Sequence, residues 1–401
     1  MSHADAVPLS RRMQPRDPHE EHRVATPLEL FFDLVFVVAI ASAAGEWHHG
    51  LAGGHLGDLV RFVMVFFAIW WAWMNYTWFA SSYDSDDVPY RLLTFAIMAG
   101  SLMLAAGIPD LFDDGQSGLV VGGYALMRFA MVAMWLRAAR GHPEGRRTAL
   151  TYAVGISAVQ VLWIARLLLD GSSVLMVSFF ALVVLELLVP VVAERRGFTP
   201  FHPHHIAERY ALLTLIVLGE VVLASVQAVQ GALVAGARTG LVALVVGGLL
   251  IVFSMWWLYF KREHASLFEG SIGSIFLTGY GHYLVFASVA ATGVGLAAAV
   301  DLVQGAAHTS PRVVGLALAG AVAVYVWCLT VMHSLAGAPA VERRVGVVVG
   351  LFVVGVAALA PPVGVTVLTT GLALAAAVAH HVISSEGDGQ STRRRRPVST
   401  S

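Results

Sequence analysis

Apolar runs long enough to cross a lipid bilayer fill most of this 401-residue sequence. A bilayer core of roughly 30 Å requires about 20 apolar residues per helix. By that measure the sequence predicts twelve spans, near residues 28–45, 56–80, 91–109, 118–138, 148–169, 174–193, 206–229, 239–260, 276–300, 313–335, 345–360 and 363–383. The last two form one apolar stretch, which we divide at Pro361-Pro362 because successive prolines end a helix.

The composition agrees with a chain that lies mainly in lipid. Charged residues make up 13% and hydrophobic residues 57%, whereas soluble domains have about 25% charged residues. We therefore predict an all-α polytopic membrane protein, with the lipid bilayer as its first partner. Lys261 is the only lysine among 25 basic residues, which indicates GC-rich codon usage and hence a multi-pass protein of the bacterial cell (inner or plasma) membrane.

Basic residues alternate between successive loops, and they favour the cytoplasmic side. With the N-terminus inside, the cytoplasmic segments hold Arg11, Arg12, Arg16, Arg23, Arg91, Arg137, Arg140, Arg146, Arg147, Arg195, Arg196, Lys261, Arg262, Arg343, Arg344 and Arg393 to Arg396. The opposite loops hold mostly acidic residues, with Arg238 and the borderline Arg61, Arg166 and Arg312. We expect both termini in the cytoplasm, with residues 1–24 and the basic tail 386–401 disordered.

Three pairs of similar strings indicate an internal duplication. They are "ELFFDLVFVVAI" (29–40) with "ERYALLTLIVLGE" (208–220), "WWAWMNY" (70–76) with "WWLYF" (256–260), and "PYRLLTFAIMAGSLMLAAGIPD" (89–110) with "GHYLVFASVAATGVGLAAAVD" (281–301). Six helices per half would give both halves the same orientation. We therefore predict two six-helix halves, 25–197 and 198–385, in a parallel repeat of the kind found in transporters.

Two carboxylates, Glu29 and Asp33, stand at the start of the first span. Residues four apart share one helix face, and Asp33 would lie one turn, about 5.4 Å, deeper. An ionisable group at a helix centre costs about 2.5–3.5 kcal/mol on insertion scales, so it indicates a functional site by default. Two interpretations stay open: a pair that binds a solute or ion, or a helix-start cap that pairs with a nearby arginine.

Three further charged or titratable residues fall inside predicted spans. Glu220 lies twelve residues beyond Glu208, about 18 Å along the seventh helix, and is either a proton- or cation-binding carboxylate or a polar contact between helices. Arg128 requires a partner because its charge persists at any relevant pH; the candidates are Glu220, Asp33 and Glu186. His282 is either a bonded core histidine or part of a proton relay.

The seventh helix opens with polar residues, His205, Glu208 and Arg209, after the tract "HPHH" (202–205). Imidazole and carboxylate groups bind zinc or iron, but Pro203 interrupts the tract. We therefore expect a loop and a helix cap, predict no metal site, and keep Glu208 and Arg209 as candidate contacts for a solute or ion.

The loop "YDSDDVPYR" (83–91) carries Asp84, Asp86, Asp87 and Arg91. These aspartates either cap the third helix ahead of Pro89 and bond Arg91, or attract a cation. A set of tryptophans near the same helix ends is typical of an interfacial aromatic belt: Trp70, Trp71, Trp73, Trp78, Trp256 and Trp257.

Over residues 22–385 the sequence resembles the bacterial low temperature requirement A family. The resemblance rests on "TPLELFFDLVFVVAI", "WWAWMNYTWFASSYDSDDVPYRLL", "HIAERYALLTLIVLGE", "WWLYF" and "YGHYLVFA". Members of that family often have an acidic residue after the "WWLYF" string, where Lys261 stands here. The resemblance implies a multi-span bacterial membrane protein with a proposed link to growth in the cold, and no particular reaction or substrate.

The sequence contains no phosphate-binding glycine loop, no Gly-x-Ser-x-Gly elbow and no paired cysteine motif. We therefore predict a secondary transporter, coupled to protons or cations, for an unknown small solute, with its site formed by Asp33, Arg128, Glu220 and His282. We expect no cofactor, no catalytic residue and no nucleic-acid partner, and leave homo-oligomerisation open. The alternatives are a membrane enzyme that uses Glu29, Asp33 and residues 84–87 on a lipid or lipid-linked substrate, and a stress-linked scaffold or sensor.

Overall fold

The computed structural model describes residues 7–18, 20, 21, 23–115, 117–234, 236, 240–262 and 265–394, the last ten by their backbone alone. Across these residues the chain forms helices and no strand, which confirms the predicted all-α fold. The helices are α1 (Pro27–Gly53), α2 (Asp58–Tyr83), α3 (Val88–Asp114), α4 (Gly118–Gly141), α5 (Arg146–Ala165), α6 (Ser172–Glu194), α7 (Pro203–Val234), α8 (Leu241–Phe260), α9 (Ile272–Gln304), α10 (Pro311–Leu335), α11 (Ala340–Ala358) and α12 (Val363–Arg394).

Eleven of these helices, all except α11, are long and apolar enough to cross a membrane. The first turn and a half of α11 contains Glu342, Arg343 and Arg344, and three charges in a 19-residue helix make it too polar to meet that standard. A multi-span helical membrane protein is thus confirmed, while eleven rather than twelve helices of the described chain qualify as spans. The orientation of the termini stays a prediction.

The division of the last apolar stretch at Pro361-Pro362 is confirmed. Helix α11 ends at Ala358 and α12 begins at Val363. Between them Ala360 adopts a left-handed backbone conformation with φ of 54°, which no helix can continue.

Local sequence signals explain where several helices begin. At α1 the amide of Thr26 donates to Glu29 Oε2 at 2.8 Å, and the amide of Glu29 donates to Thr26 Oγ1 at 3.3 Å. This reciprocal pair is a capping box. Asp87 caps α3 by accepting a hydrogen bond from the Tyr90 amide at 2.9 Å, and Ser310 caps α10 immediately before a proline. Each cap satisfies amides that a helix start leaves without a partner.

The chain divides into two compact units. Unit 1 comprises Met1–Ala43 and Val63–Leu212, and unit 2 comprises Ala44–Phe62 and Leu213–Ser401. Helices α1, α2 and α7 therefore each contribute residues to both units. This division differs from the predicted halves, which place a boundary only in the loop before α7, and the internal repeat stays a prediction.

The described part of residues 7–24, here called the N-terminal strap, contains no helix or strand but packs against helices of unit 1, to which it belongs. Met13 is 2% exposed, and a β-carbon at Gly141 would collide with its carbonyl group. The Arg11 amide donates to Asp87 at 2.7 Å, and the Arg16 amide donates to the Ser82 carbonyl at 2.9 Å. The backbone polar groups of these described residues therefore find partners on the helices, and the disorder expected for residues 1–24 stays a prediction.

The end of the chain differs from expectation. Helix α12 continues to Arg394, whereas a disordered tail was predicted from residue 386. No proline stands between Val363 and Arg394 to stop the helix. Residues 395–401, which include the last two arginines of the basic run, lie outside the described chain.

Glycines allow several pairs of helices to approach closely, and two of these pairs serve as examples. A β-carbon on Gly100 of α3 or on Gly123 of α4 would collide with the backbone of the other helix. On α11, Gly346 and Gly350 lie four residues apart against side chains of α10. Small residues at this spacing are a frequent contact between membrane helices, and here they attach α11 to the rest of unit 2.

We predict that Gly346→Leu destabilises the protein, because a β-carbon there collides with Thr330 Oγ1. Overpacking of this kind costs about 1–3 kcal/mol and should lower the melting temperature of purified protein in detergent, followed by tryptophan fluorescence. Gly355→Leu is the matched control on the same helix, where a β-carbon meets nothing within 4 Å. Equal losses in the two variants would contradict the close-packing interpretation.

Candidate functional site

The two carboxylates at the start of α1 bind one arginine of α7. Glu29 and Asp33 are 1% and 0% exposed. Arg209 donates from Nη2 to Asp33 Oδ1 at 2.7 Å and from Nε to Asp33 Oδ2 at 3.1 Å, and its Nη1 lies 3.0 Å from Glu29 Oε1. The indole of Trp73 adds a hydrogen bond to Asp33 Oδ1 at 2.7 Å. Glu29 and Asp33 thus share one helix face, as expected, and both contact the guanidinium of Arg209.

Glu29 is held less completely than Asp33. Its Oε1 lies 3.0 Å from Arg209 Nη1, but neither atom has an aligned hydrogen bond. The contact is therefore an ion pair without a hydrogen bond. His205 Nε2 lies 3.2 Å from the same oxygen, and Arg23 Nη2 lies 3.8 Å away. Glu29 therefore fits the interpretation of a helix-start cap that pairs with a nearby arginine, since it caps α1 with Thr26 and contacts Arg209; binding of a solute or ion stays a prediction.

Asp84 lies beside this group at the end of α2. Its side chain is 5% exposed, with Arg23 Nη1 at 3.7 Å and Arg16 Nη1 at 3.6 Å. Burial raises the pKa of Asp84, and the negative charge of Glu29 raises it further, while the two arginines lower it; the result is a pKa of about 6. This carboxyl therefore changes its charge close to physiological pH.

Six buried side chains thus form one group, which we call the acid–arginine cluster: Arg23, Glu29, Asp33, Asp84, His205 and Arg209. Its three carboxylates face two guanidinium groups, so with a neutral imidazole the cluster is one positive charge short of neutrality. The adjoining Arg16–Glu20 pair, at 2.7 Å, adds equal and opposite charges. His205 Nδ1 is buried and has no hydrogen-bond partner among the described residues, so no acceptor there would stabilise a second proton on the imidazole.

The N-terminal strap covers the cluster. Arg23, itself part of the strap, donates from Nη2 to the Ala80 carbonyl at 3.2 Å. The next residues tie the chain to α7, since the Ala25 amide donates to Glu208 Oε2 at 3.1 Å. His202 Nε2 donates to the Glu20 carbonyl at 2.9 Å. Glu208, a predicted solute contact, thus anchors the strap at the edge of the cluster.

Arg128 takes Glu186, one of the three acids that the sequence left open. Its Nη2 donates to Glu186 Oε2 at 2.6 Å, and both side chains are fully buried. Trp71 donates to the same oxygen at 2.9 Å, while Tyr124 and Trp163 donate to Oε1 at 3.1 and 3.3 Å. Arg128 and Asp33 therefore have separate partners in unit 1, where we expected one shared site.

The two predicted site residues of unit 2 have different surroundings. His282 Nδ1 lies 2.8 Å from the Thr278 carbonyl, which can only accept, so Nδ1 carries the proton and Nε2 accepts from the Tyr259 hydroxyl at 3.1 Å. His282 thus fits the interpretation of a bonded core histidine. Glu220 is partly exposed and makes no hydrogen bond or ion pair with the described residues.

The aspartates after α2 act mainly as a helix cap, as one of the two interpretations predicts. Besides the Tyr90 amide, Asp87 accepts hydrogen bonds from Arg137 Nη2 at 2.6 Å and from the Arg11 amide at 2.7 Å. Burial alone would raise the pKa of Asp87, but these hydrogen bonds outweigh it and lower the pKa. The carboxylate is therefore fixed in its ionised form.

Asp86 forms a two-point contact with Arg91, at 2.8 and 3.0 Å, on the surface. This is the Arg91 bond that the sequence indicated. Nowhere in the described chain do three histidine, cysteine or carboxylate side chains gather in a way that would hold a metal ion. That statement covers the described part of the "HPHH" tract, where His202 and His205 bond the strap and Glu29.

Sequence reasoning misplaced some of the tryptophans. Trp71 and Trp73 are fully buried and donate to Glu186 and Asp33, whereas an interfacial belt was expected. Trp256 and Trp257, each 45% exposed, match that belt. The spacing of Thr26 and Glu29 was a readable capping signal in the sequence, but no sequence signal assigns an indole to one carboxylate.

The family model for bacterial low temperature requirement A proteins matches residues 24–379. An uncharacterised protein of Rhizobium meliloti (strain 1021) is 28% identical over 284 residues, which cover 67% of each chain. No solved structure matches. The matched region includes the whole acid–arginine cluster except Arg23.

We predict that Arg209→Gln costs far more stability than Asp33→Asn. Loss of the guanidinium leaves three buried carboxylates with Arg23 alone, and breaking a buried pair costs about 3–5 kcal/mol. Asp33→Asn leaves Glu29 paired and removes the excess negative charge. Folded yield and melting temperature in detergent measure the difference, and the double variant should recover part of the loss; equal losses in the two single variants would refute the shared-arginine geometry.

We predict that, because of Asp84, the free energy of unfolding decreases as the pH rises from about 4 to about 6. Its folded pKa of about 6 lies above the ordinary value of 3.8, so the folded chain holds the proton more tightly than the unfolded chain does. The stabilising contribution, on the order of 3 kcal/mol, is complete below pH 4 and is lost as the pH rises through 6.

Melting temperatures recorded from about pH 4 to 7 should show this slope in the wild type and lose most of it in Asp84→Asn. Asp86→Asn, which removes an exposed carboxylate two residues away, serves as the matched control and should keep the slope. A slope that persists unchanged without Asp84 rules out this group as its origin.

Proposed function

This chain belongs to the bacterial low temperature requirement A family, and we propose that it is a proton-coupled secondary transporter of a small solute in the bacterial cell membrane. One observation carries the proposal: the buried acid–arginine cluster has three carboxylates, two guanidinium groups and one imidazole. Ionisable groups inside membrane proteins commonly serve as proton relays and substrate pathways.

The charge balance of the cluster supports proton binding. A net charge of one in a buried site is costly, and a single proton removes it. Asp84, with a pKa of about 6, is the group of the cluster that can accept that proton. Because Glu29 contacts Arg209 without an aligned hydrogen bond, protonation can rearrange these contacts rather than merely weaken them.

The position of the cluster supports coupling to movement. It joins α1, α7 and the N-terminal strap within unit 1, so a change in its charge alters the contacts of all three. We propose that loss of the proton loosens the strap, because ionised Asp84 then adds an unbalanced negative charge to the buried cluster, which water can solvate once the strap moves away. Release of the strap would open the buried carboxylates to the cytoplasm.

We propose Glu220 as a second proton- or cation-binding carboxylate, located in unit 2. It lies in an apolar stretch of α7, partly exposed and with no ion-pair partner among the described residues. A carboxylate in such surroundings requires a proton, a cation or water to balance its charge.

Proton binding is tested with pH jumps applied to proteoliposomes on a solid-supported membrane. The wild type should give transient currents as it binds and releases protons between about pH 5 and 8. Asp33→Asn should abolish them, because the cluster is then neutral without the proton. Glu186→Gln removes a carboxylate from the other buried arginine pair of unit 1 and should keep the currents; if it does not fold, the charge-balanced Arg128→Gln/Glu186→Gln variant replaces it.

Two results would overturn the proposal. Wild-type protein that binds no proton in this range lacks the coupling element, and equal loss in the Asp33 and Glu186 variants makes the effect structural. A stability loss with unchanged currents in Asp33→Asn would favour the scaffold alternative instead. Solutes that move protons in the wild type then identify the cargo.

A further inference from the structure

Three basic side chains of unit 2 meet at one carboxylate. At the start of α11, Glu342 accepts hydrogen bonds from Lys261 Nζ at 2.9 Å and from Arg262 Nη2 at 2.8 Å. His381 Nδ1 of α12 lies 3.4 Å from Glu342 Oε1. The contact therefore joins the chain after the end of α8, the start of α11 and the second half of α12.

The charges in this group do not balance. Burial alone would raise the pKa of Glu342, but the hydrogen bonds from Lys261 and Arg262 outweigh it and hold the pKa at about 2. Glu342 is therefore ionised at physiological pH and supplies one negative charge against two permanent positive charges. One positive charge remains unbalanced even when His381 is neutral.

A cavity opens beside this group. Its volume is about 40 Å³, and its lining includes Lys261, Glu342, His333, His380 and His381 beside apolar residues. Glu342 is the only acid among its described lining residues. A cavity with one excess cation and several imidazoles suits an anion with oxygen acceptors, such as a phosphate group.

The surroundings of the cavity indicate that the anion belongs to a lipid. Trp256 and Trp257, both 45% exposed, precede Lys261 by about one helical turn, and exposed tryptophans beside basic residues are typical of the level of lipid headgroups. Lining residues are flanked along the chain by exposed apolar side chains, Val331 at 54%, Val341 at 52% and Ile383 at 69%. Such side chains suit acyl chains and are of no use to a free ion.

We propose that the cavity beside Lys261, Arg262 and Glu342 binds the headgroup phosphate of an anionic phospholipid. The lipid supplies the negative charge that the three residues lack, while its acyl chains lie against the exposed apolar side chains nearby. This site lies in unit 2 and does not depend on proton coupling, so it can stand or fall separately from the proposed transport function.

Two substitutions that change the excess positive charge in opposite directions test the proposal. Arg262→Gln removes the excess positive charge but keeps the Lys261–Glu342 ion pair, so it should weaken binding by roughly five-fold. Glu342→Gln raises the excess charge and should hold the lipid at least as tightly as the wild type. Arg343→Gln, an exposed arginine of α11 that does not line the cavity, is the matched control and should bind as the wild type does.

Full-length protein in a neutral detergent is titrated with phosphatidylglycerol, with phosphatidylcholine and with inorganic phosphate, and bound lipid is counted by native mass spectrometry. Phosphatidylglycerol should remain bound, phosphatidylcholine should bind more weakly, and inorganic phosphate should not displace the lipid. Displacement by phosphate at millimolar concentration would show that the site takes the free ion and overturn the lipid assignment. Equal weakening in Arg262→Gln and Arg343→Gln, or equal binding of the two lipids, would also overturn it.

Discussion

The bond between Arg209 and two carboxylates of α1 is the interaction on which unit 1 depends. Charge in a hydrocarbon environment is tolerated only where it meets an opposite charge, a hydrogen-bond donor or water. Arg209 meets Asp33 in a two-point contact and Glu29 at 3.0 Å. These contacts fix the rotation of α1 relative to α7 within unit 1 and determine which face of each helix is polar.

The two units carry opposite charge imbalances. In unit 1 the buried group lacks one positive charge, and in unit 2 the cavity beside Glu342 has one positive charge too many. An unbalanced charge is costly where water is scarce. Each group is therefore expected to bind an ion or charged molecule that neutralises it. A proton suits unit 1, where Asp84 titrates near pH 6, and an anionic headgroup suits unit 2, where Lys261 and Arg262 keep their charges.

Sequence reasoning could predict the helices and the common face of Glu29 and Asp33, because both follow from hydropathy and from helical periodicity. It could not choose a partner for Arg128, since three acids were equally compatible and only the packing of α4 on its neighbours selects Glu186. The polar N-terminal strap shows a second limit of sequence reasoning, because its composition does not reveal its contacts with distant residues. Its composition is that of a disordered segment, whereas its backbone groups have partners that lie far away along the chain.

The hydrogen bond from Trp73 to Asp33 places a chromophore on a fully buried carboxylate of unit 1. The energy of an indole excited state shifts with the local electric field. The wavelength of Trp73 fluorescence therefore depends on the charge of Asp33, its hydrogen-bond partner. Trp71 has the same relation to Glu186. The fluorescence of Trp73 therefore reports the charge of Asp33, and that of Trp71 reports the charge of Glu186. Protonation of the two carboxylates can be followed separately in variants whose other tryptophans are replaced.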